Sequence, residues 1–273
     1  MRLSRPGTSA PLPADNQPFS LGVEEKHLGI PEVDVGLNKR EGDLPVISVS
    51  LLANYNLELI VDESMSMRTR DCPGFKSRWN WCGAQAHDLA NQLAPFVPKG
   101  LTITNFARGY DVHPSCSAQN IADLFDNPDF GRGTRLAEPL ADRLNNYFAG
   151  RRPGSKPMLI AIITDGVPVP QIEPQMVVDT LIRASKLVVD PHEVTVVFFQ
   201  IGGADLQGKF FLHDLDTNLV NYGARYDIVH VVSFDHLEKV GLAQALVESI
   251  QDFARVHRPG AEEPVPAPKK RWW

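Results

Sequence analysis

The residues best suited to chemistry are oxygen donors at the end of a short apolar run. Residues 57–67 read LELIVDESMSM: a β-branched stretch stops at a carboxylate, Asp62, and two serines follow at alternate positions, Ser64 and Ser66. An apolar run closed by small polar residues is the pattern of a buried strand that delivers its C-terminal end to a loop. If that loop curls around a point, oxygen side chains at i, i+2 and i+4 can all turn toward it, and a hard divalent cation is the natural occupant. From this stretch alone a plain strand-end turn reads equally well, because Asp and Ser are common in turns. Two further stretches supply oxygen donors. NPDFGRGT, residues 127–134, brings Thr134 through a glycine-flexed loop to the start of a helix, and MLIAIITDG, residues 158–166, ends an apolar run in Thr164-Asp165-Gly166.

Positioning these donors falls to strands that alternate with helices. Helical spacing of Ala86, Leu89, Ala90, Leu93 and Phe96 predicts a helix over about 77–96, closed by Pro98-Lys99-Gly100. A strand follows over 101–107, then a turn at Arg108-Gly109-Tyr110 into a short strand near 111–113, and Ser117 caps a helix carrying Ile121, Leu124 and Phe125. The helix after Thr134 buries Leu136, Leu140, Leu144 and Phe148, with an irregular start at Pro139. Residues 158–164 are apolar throughout, as a strand covered on both faces must be. A helix over about 174–187, a strand over 193–201, a short helix over about 209–215, a strand over 227–233 and a final helix over about 237–254 complete the pattern. Residues 44–52, LPVISVSLL, are read as an additional strand.

Such alternation predicts an α/β fold: a Rossmann-like, doubly wound, mostly parallel sheet of about six strands, with one short antiparallel edge strand and helices on both faces. Ligands of such sheets sit beyond the carboxyl ends of the strands, where strand order reverses. The strands ending in Asp62 and Asp165 are the expected neighbours at that point.

Composition narrows the function. The 273 residues are 43% apolar and 22% charged, with a formal net charge of −6, which argues against nucleic acid as the main partner. No run reaches the roughly 18 apolar residues of a membrane span. The first residues are broken by prolines and show no secretory h-region, and the three cysteines (Cys72, Cys82, Cys116) lack zinc-like pairing, so free thiols and a cytoplasmic location are expected. Residues 1–42 and 257–273, rich in Pro and polar residues, are read as an extended or disordered arm and a Pro-rich tail around a domain spanning 43–256.

Taken together, Asp62-x-Ser64-x-Ser66, Thr134 and Asp165 resemble the metal-ion-dependent adhesion site of von Willebrand factor type A domains, over about residues 56–255. Many relatives have glycine where this chain has Met65, whose side chain is expected to face away from the site. The resemblance implies that the three hydroxyls are the main direct protein ligands of a divalent ion (Mg²⁺, with Mn²⁺ or Ca²⁺ possible), that the two aspartates hold water and hydroxyls in place, and that a partner protein's Asp or Glu carboxylate completes the coordination. The function so implied is non-enzymatic protein binding.

Two alternatives remain. A phosphohydrolase using Asp62 as nucleophile would want a second carboxylate two residues on, where the chain has Ser64. A scaffold assembled through its two terminal arms would make the metal purely structural.

Overall fold

A computed structural model describes residues 48–202 and 205–256; the expected arm and tail lie outside the described residues. The chain divides between Leu44 and Pro45, and every described residue belongs to the second unit.

Six strands form one sheet: β1 (Asn56–Asp62), β2 (Leu101–Phe106), β3 (Tyr110–Cys116), β4 (Met158–Thr164), β5 (Val194–Gln200) and β6 (Val229–Val232), in the order β3-β2-β1-β4-β5-β6. All neighbours run parallel except β2 and β3, whose antiparallel pairing follows from the short turn at Arg108-Gly109. The sheet is thus doubly wound, with strand order reversing between β1 and β4. Every residue of β4 and β5 is buried, as expected of central strands covered on both faces.

Six helices cover the sheet: α1 (Arg78–Leu93), α2 (Ala118–Asp126), α3 (Ala137–Gly150), α4 (Glu173–Leu187), α5 (Leu206–Asn218) and α6 (Phe234–Val256). Alternation along β1 divides the core. Leu59 and Val61 face Trp79 and Leu89 of α1, Ile121 of α2 and Leu246 and Ile250 of α6. Ile60 faces the other way, toward Leu140 and Leu144 of α3, Val177 and Leu181 of α4 and Leu212 of α5. Each such side chain, fully buried, contributes about 1.5–3 kcal/mol, so the two apolar faces fix which way β1 points its remaining residues.

Helix starts follow local chemistry. The Ser77 hydroxyl accepts from the Asn80 amide to begin α1, and Ser117 with Asn120 forms a reciprocal cap on α2. The irregular start expected at Pro139 is not seen: α3 runs without a break from Ala137, with Pro139 in its first turn, where no intrahelical N–H bond is lost. Leu136 gives it no side-chain cap, and the Glu173 carboxylate, at the start of α4, accepts the Ala137 amide at 3.1 Å instead.

Three further expectations are corrected. Within 44–52, the described residues begin a 3₁₀ helix, Val49–Asn54, rather than a strand. The segment leads straight into β1, whose two edges are taken by β2 and β4; Ser48 caps it and Leu52 is buried beside α1 and α6. Helix α1 stops at Leu93, leaving Phe96 half exposed beyond it. Helix α6 is broken at Gly241, where Gln85 of α1 accepts the freed Leu242 amide at 3.0 Å. All three cysteines are buried free thiols.

Candidate functional site

The parallel pairing of β1 with β4 puts Asp62 and Thr164-Asp165 at the same edge of the sheet, beside the reversal in strand order. Asp62 is fully buried, and both of its carboxylate oxygens accept hydrogen bonds. Oδ1 takes the Ser64 amide at 2.8 Å, which bends the chain after β1 into an Asx-type turn. Oδ2 takes the Thr164 hydroxyl at 2.8 Å across to β4. Beyond the turn, residues Met65–Arg68 form a 3₁₀ helix in which Met67 is buried and Ser66 exposed, directly after buried Ser64. Met65 is exposed, as expected, while the Ser64 and Ser66 hydroxyls approach to 2.9 Å. Ser66 in turn donates to Asp165 Oδ1 at 3.0 Å.

Thr134 arrives on a third loop. Its buried side chain follows Gly133, whose φ of +89° lies in the left-handed region that β-carbon-bearing residues rarely occupy. Backbone hydrogen bonds lace this loop to both of the others. Gly131 exchanges bonds with Glu63 and Met65 on one side, and Thr134 exchanges a pair with Val169 of the β4–α4 loop on the other. Among the described residues the Thr134 hydroxyl makes no direct hydrogen bond to the other four predicted donors. Four of the five residues singled out from sequence are therefore joined in one hydrogen-bonded chain, and the fifth sits on a loop clamped between theirs.

The structure adds a residue that sequence reading missed. Arg78, the first residue of α1, is buried with its side chain 10% exposed. Its Nη1 donates to Asp165 Oδ2 at 2.7 Å, while Nε and Nη2 grip both oxygens of Asp71 at 2.9 and 2.6 Å. The end of β5 makes room for it: a Cβ on Gly202 (φ +77°) would lie 2.6 Å from the guanidinium. A positive group at a helix N-terminus opposes the helix dipole, so Arg78 is an anomaly readable in the sequence, and two carboxylates resolve it.

Electrostatics follow from burial. Loss of water, and then the nearby Asp165 carboxylate, push the Asp62 carboxyl up to about 7, against the Ser64 and Thr164 hydrogen bonds that pull it down. The Arg78 guanidinium holds Asp71 below the usual carboxylate range.

The donor set fits a hard divalent cation. Two carboxylates and three hydroxyls are all oxygen donors, the ligand type a hard divalent ion takes. Among the described residues no group of three or more His, Cys, Asp or Glu side chains could hold a metal, so a site here depends on the hydroxyls.

The chain matches no family model and no curated protein. It is similar to solved structures at low identity. BatB from Bacteroides thetaiotaomicron is 13% identical over 74% of this chain and 99% of that one, with a TM-score of 0.45. The manganese-loaded TRAP protein of Plasmodium vivax is 15% identical over 73% and 72%, with a TM-score of 0.47. The pilus adhesin SpaC of Lactobacillus rhamnosus GG is 13% identical over 73% and 30%, with a TM-score of 0.49. The strand order, the single antiparallel edge and the three loops meeting at the switch point make this a Rossmann-like, doubly wound α/β fold.

Proposed function

We propose that the chain is a non-enzymatic protein-binding module that holds a divalent cation, Mg²⁺ or Mn²⁺, at Asp62, Ser64, Ser66, Thr134 and Asp165. The observation that carries this reading is the run of contacts from Ser64 Oγ to Ser66 Oγ (2.9 Å) to Asp165 Oδ1 (3.0 Å), which brings hard oxygen donors from two separate loops to one point. When bound, the ion supplies a positive, exchangeable coordination position suited to a partner's Asp or Glu carboxylate.

The protein's own residues do the rest. Ser64, Ser66 and Thr134 offer neutral oxygens, which leave the ion's charge largely unspent. Thr164 and the Ser64 amide fix the Asp62 carboxylate, and Arg78 fixes that of Asp165, so neither has to reorganise when a cation arrives. Pre-organisation of this kind lowers the cost of binding.

The test is thermal melting of the full chain with and without Mg²⁺ or Mn²⁺. Either ion should raise the melting temperature, since a ligand that binds only the folded state stabilises it, and Asp62→Ala should abolish the rise. Melting curves indifferent to both ions in the unaltered chain would defeat the proposal.

A further inference from the structure

The arginines of this protein fall into two groups. Arg78, Arg143, Arg151 and Arg255 pair with carboxylates, and Arg152, Arg183 and Arg225 bond to carbonyl or hydroxyl oxygens. Arg68, Arg70, Arg108, Arg132 and Arg135 do neither among the described residues, and all five are exposed. These five occupy the loops that frame the candidate site. Arg68 closes the 3₁₀ helix that contains Ser66, and Arg70 follows it. The other three are joined through the backbone: a Cβ on Gly131 would lie 3.5 Å from the Arg108 amide, Arg132 follows Gly131, and the Arg135 amide donates to Ala107 at 2.8 Å.

The acids Asp111, Asp126, Asp129 and Glu138 are exposed in or beside the same loops, so the face is not a uniform positive field. What sets it apart is five guanidiniums that meet no carboxylate among the described residues, Arg68 lying instead over the Phe130 ring at 5.7 Å from its centroid, which favours short-range bidentate pairing with carboxylates over long-range attraction. Next to the Ser66 turn, a cavity of about 380 Å³ is lined by Arg68 and Arg70 together with Trp79 and Phe130, large enough to admit a side chain of a partner. On the other flank the β4–α4 loop, bridged to Thr134, exposes Val169 and Ile172 instead of charge, and the first turn of α4 adds Met176.

We infer that this face takes an acidic segment of a partner protein. One carboxylate reaches the Asp62–Asp165 site, further Asp or Glu side chains pair with the five arginines on one flank, and an apolar side chain covers Ile172 on the other. The inference rests on the metal-dependent reading above for the first carboxylate only; the two flanks stand on their own residues.

Fluorescence anisotropy with the full chain in Mg²⁺ tests it. One labelled peptide carries a central Asp with three Glu on one side and Leu-Ile-Leu on the other, made in both orders; the control keeps the central Asp between Gly-Ser flanks. One order of the flanked peptide should bind about tenfold or more tighter than the control, as one or two charge-assisted pairs would give. Arg132→Glu with Arg135→Glu should remove most of that preference and Ile172→Ser a smaller part, both with melting curves like the unaltered chain. Equal binding of flanked and control peptides, with the Mg²⁺ melting response intact, overturns this inference and leaves the metal reading standing. A flanked-peptide preference that survives chelator and Asp62→Ala supports the arginine flank while the metal reading fails. A single-stranded oligonucleotide that displaces the peptide at lower concentration than an acidic peptide of equal charge would also overturn it.

Discussion

Strand β1 carries two carboxylates on the same face, Glu58 partly buried and Asp62 fully, and the fold treats them differently. Glu58, in the middle of the strand, meets Arg143 of α3 at 3.2 Å, but the groups are misaligned, and both Glu58 Oε2 and Arg143 Nε lack a hydrogen bond. Burial dominates there and pushes Glu58 up to about 7, despite the opposing pull of Arg143. Asp62, at the strand's end, is more deeply buried, yet both of its oxygens are hydrogen-bonded, one to Thr164, and a chain of contacts leads from the other through Ser64, Ser66 and Asp165 to Arg78. Burial alone therefore does not mark a site. A half-satisfied pair inside the sheet is a structural compromise, whereas a connected network at the switch point is a prepared surface.

The sharpest way to break this contrast is Arg78→Ala. Removing the guanidinium strands Asp165 and Asp71, and a loss of about 3–5 kcal/mol is expected for breaking a buried pair from one side, read by urea unfolding. A loss within about 0.5 kcal/mol, the range of ordinary surface substitutions, would show that the network does not depend on it.

Arg143→Met should cost less, about 2 kcal/mol, because Glu58 can take up a proton when its partner goes. Adding Glu58→Leu should restore most of the loss, since an apolar pair suits that position as well as a misaligned ionic one. The same double variant isolates a pH effect. The folded-state pKa of Glu58 is raised from 4.5 to about 7, so its stabilising contribution is complete below about pH 4.5 and is lost as pH rises to 7. Stability measured from pH 4.5 to 7 should fall less steeply in the double variant than in the unaltered chain.

A smaller effect tests the other half of the comparison. Thr164→Val keeps the shape of β4 but removes one hydrogen bond from buried Asp62, so a loss of about 1–2 kcal/mol is expected. An unchanged midpoint would show that the Asp62 network carries no more weight than the Glu58 contact.

Much of this arrangement was legible in the sequence. The apolar runs ending in Asp62 and Asp165 announced adjacent parallel strands, and Gly133 announced the tight approach of Thr134. These features are local: a strand, a carboxylate and a turn residue within a few positions. Arg78 escaped because Asp165, 87 residues away, is brought to it only by the folded sheet, although Asp71 lies seven residues before it and a cation at a helix start was a hint. The segment before β1 was misread because alternation marks a strand only when a free sheet edge is available to pair with. The break at Gly241 depends on a side chain from α1, which nothing near that glycine reveals.

The most direct measurement of the central claim is calorimetric titration of Mn²⁺ into the full chain. One ion should bind per chain, Ser66→Ala and Thr134→Val should each weaken it about tenfold or more, as loss of a metal-site group typically does, and Arg143→Met should leave it unchanged. Absence of binding, or equal affinity in all four proteins, would contradict the assignment of the Asp62–Asp165 network as a cation site.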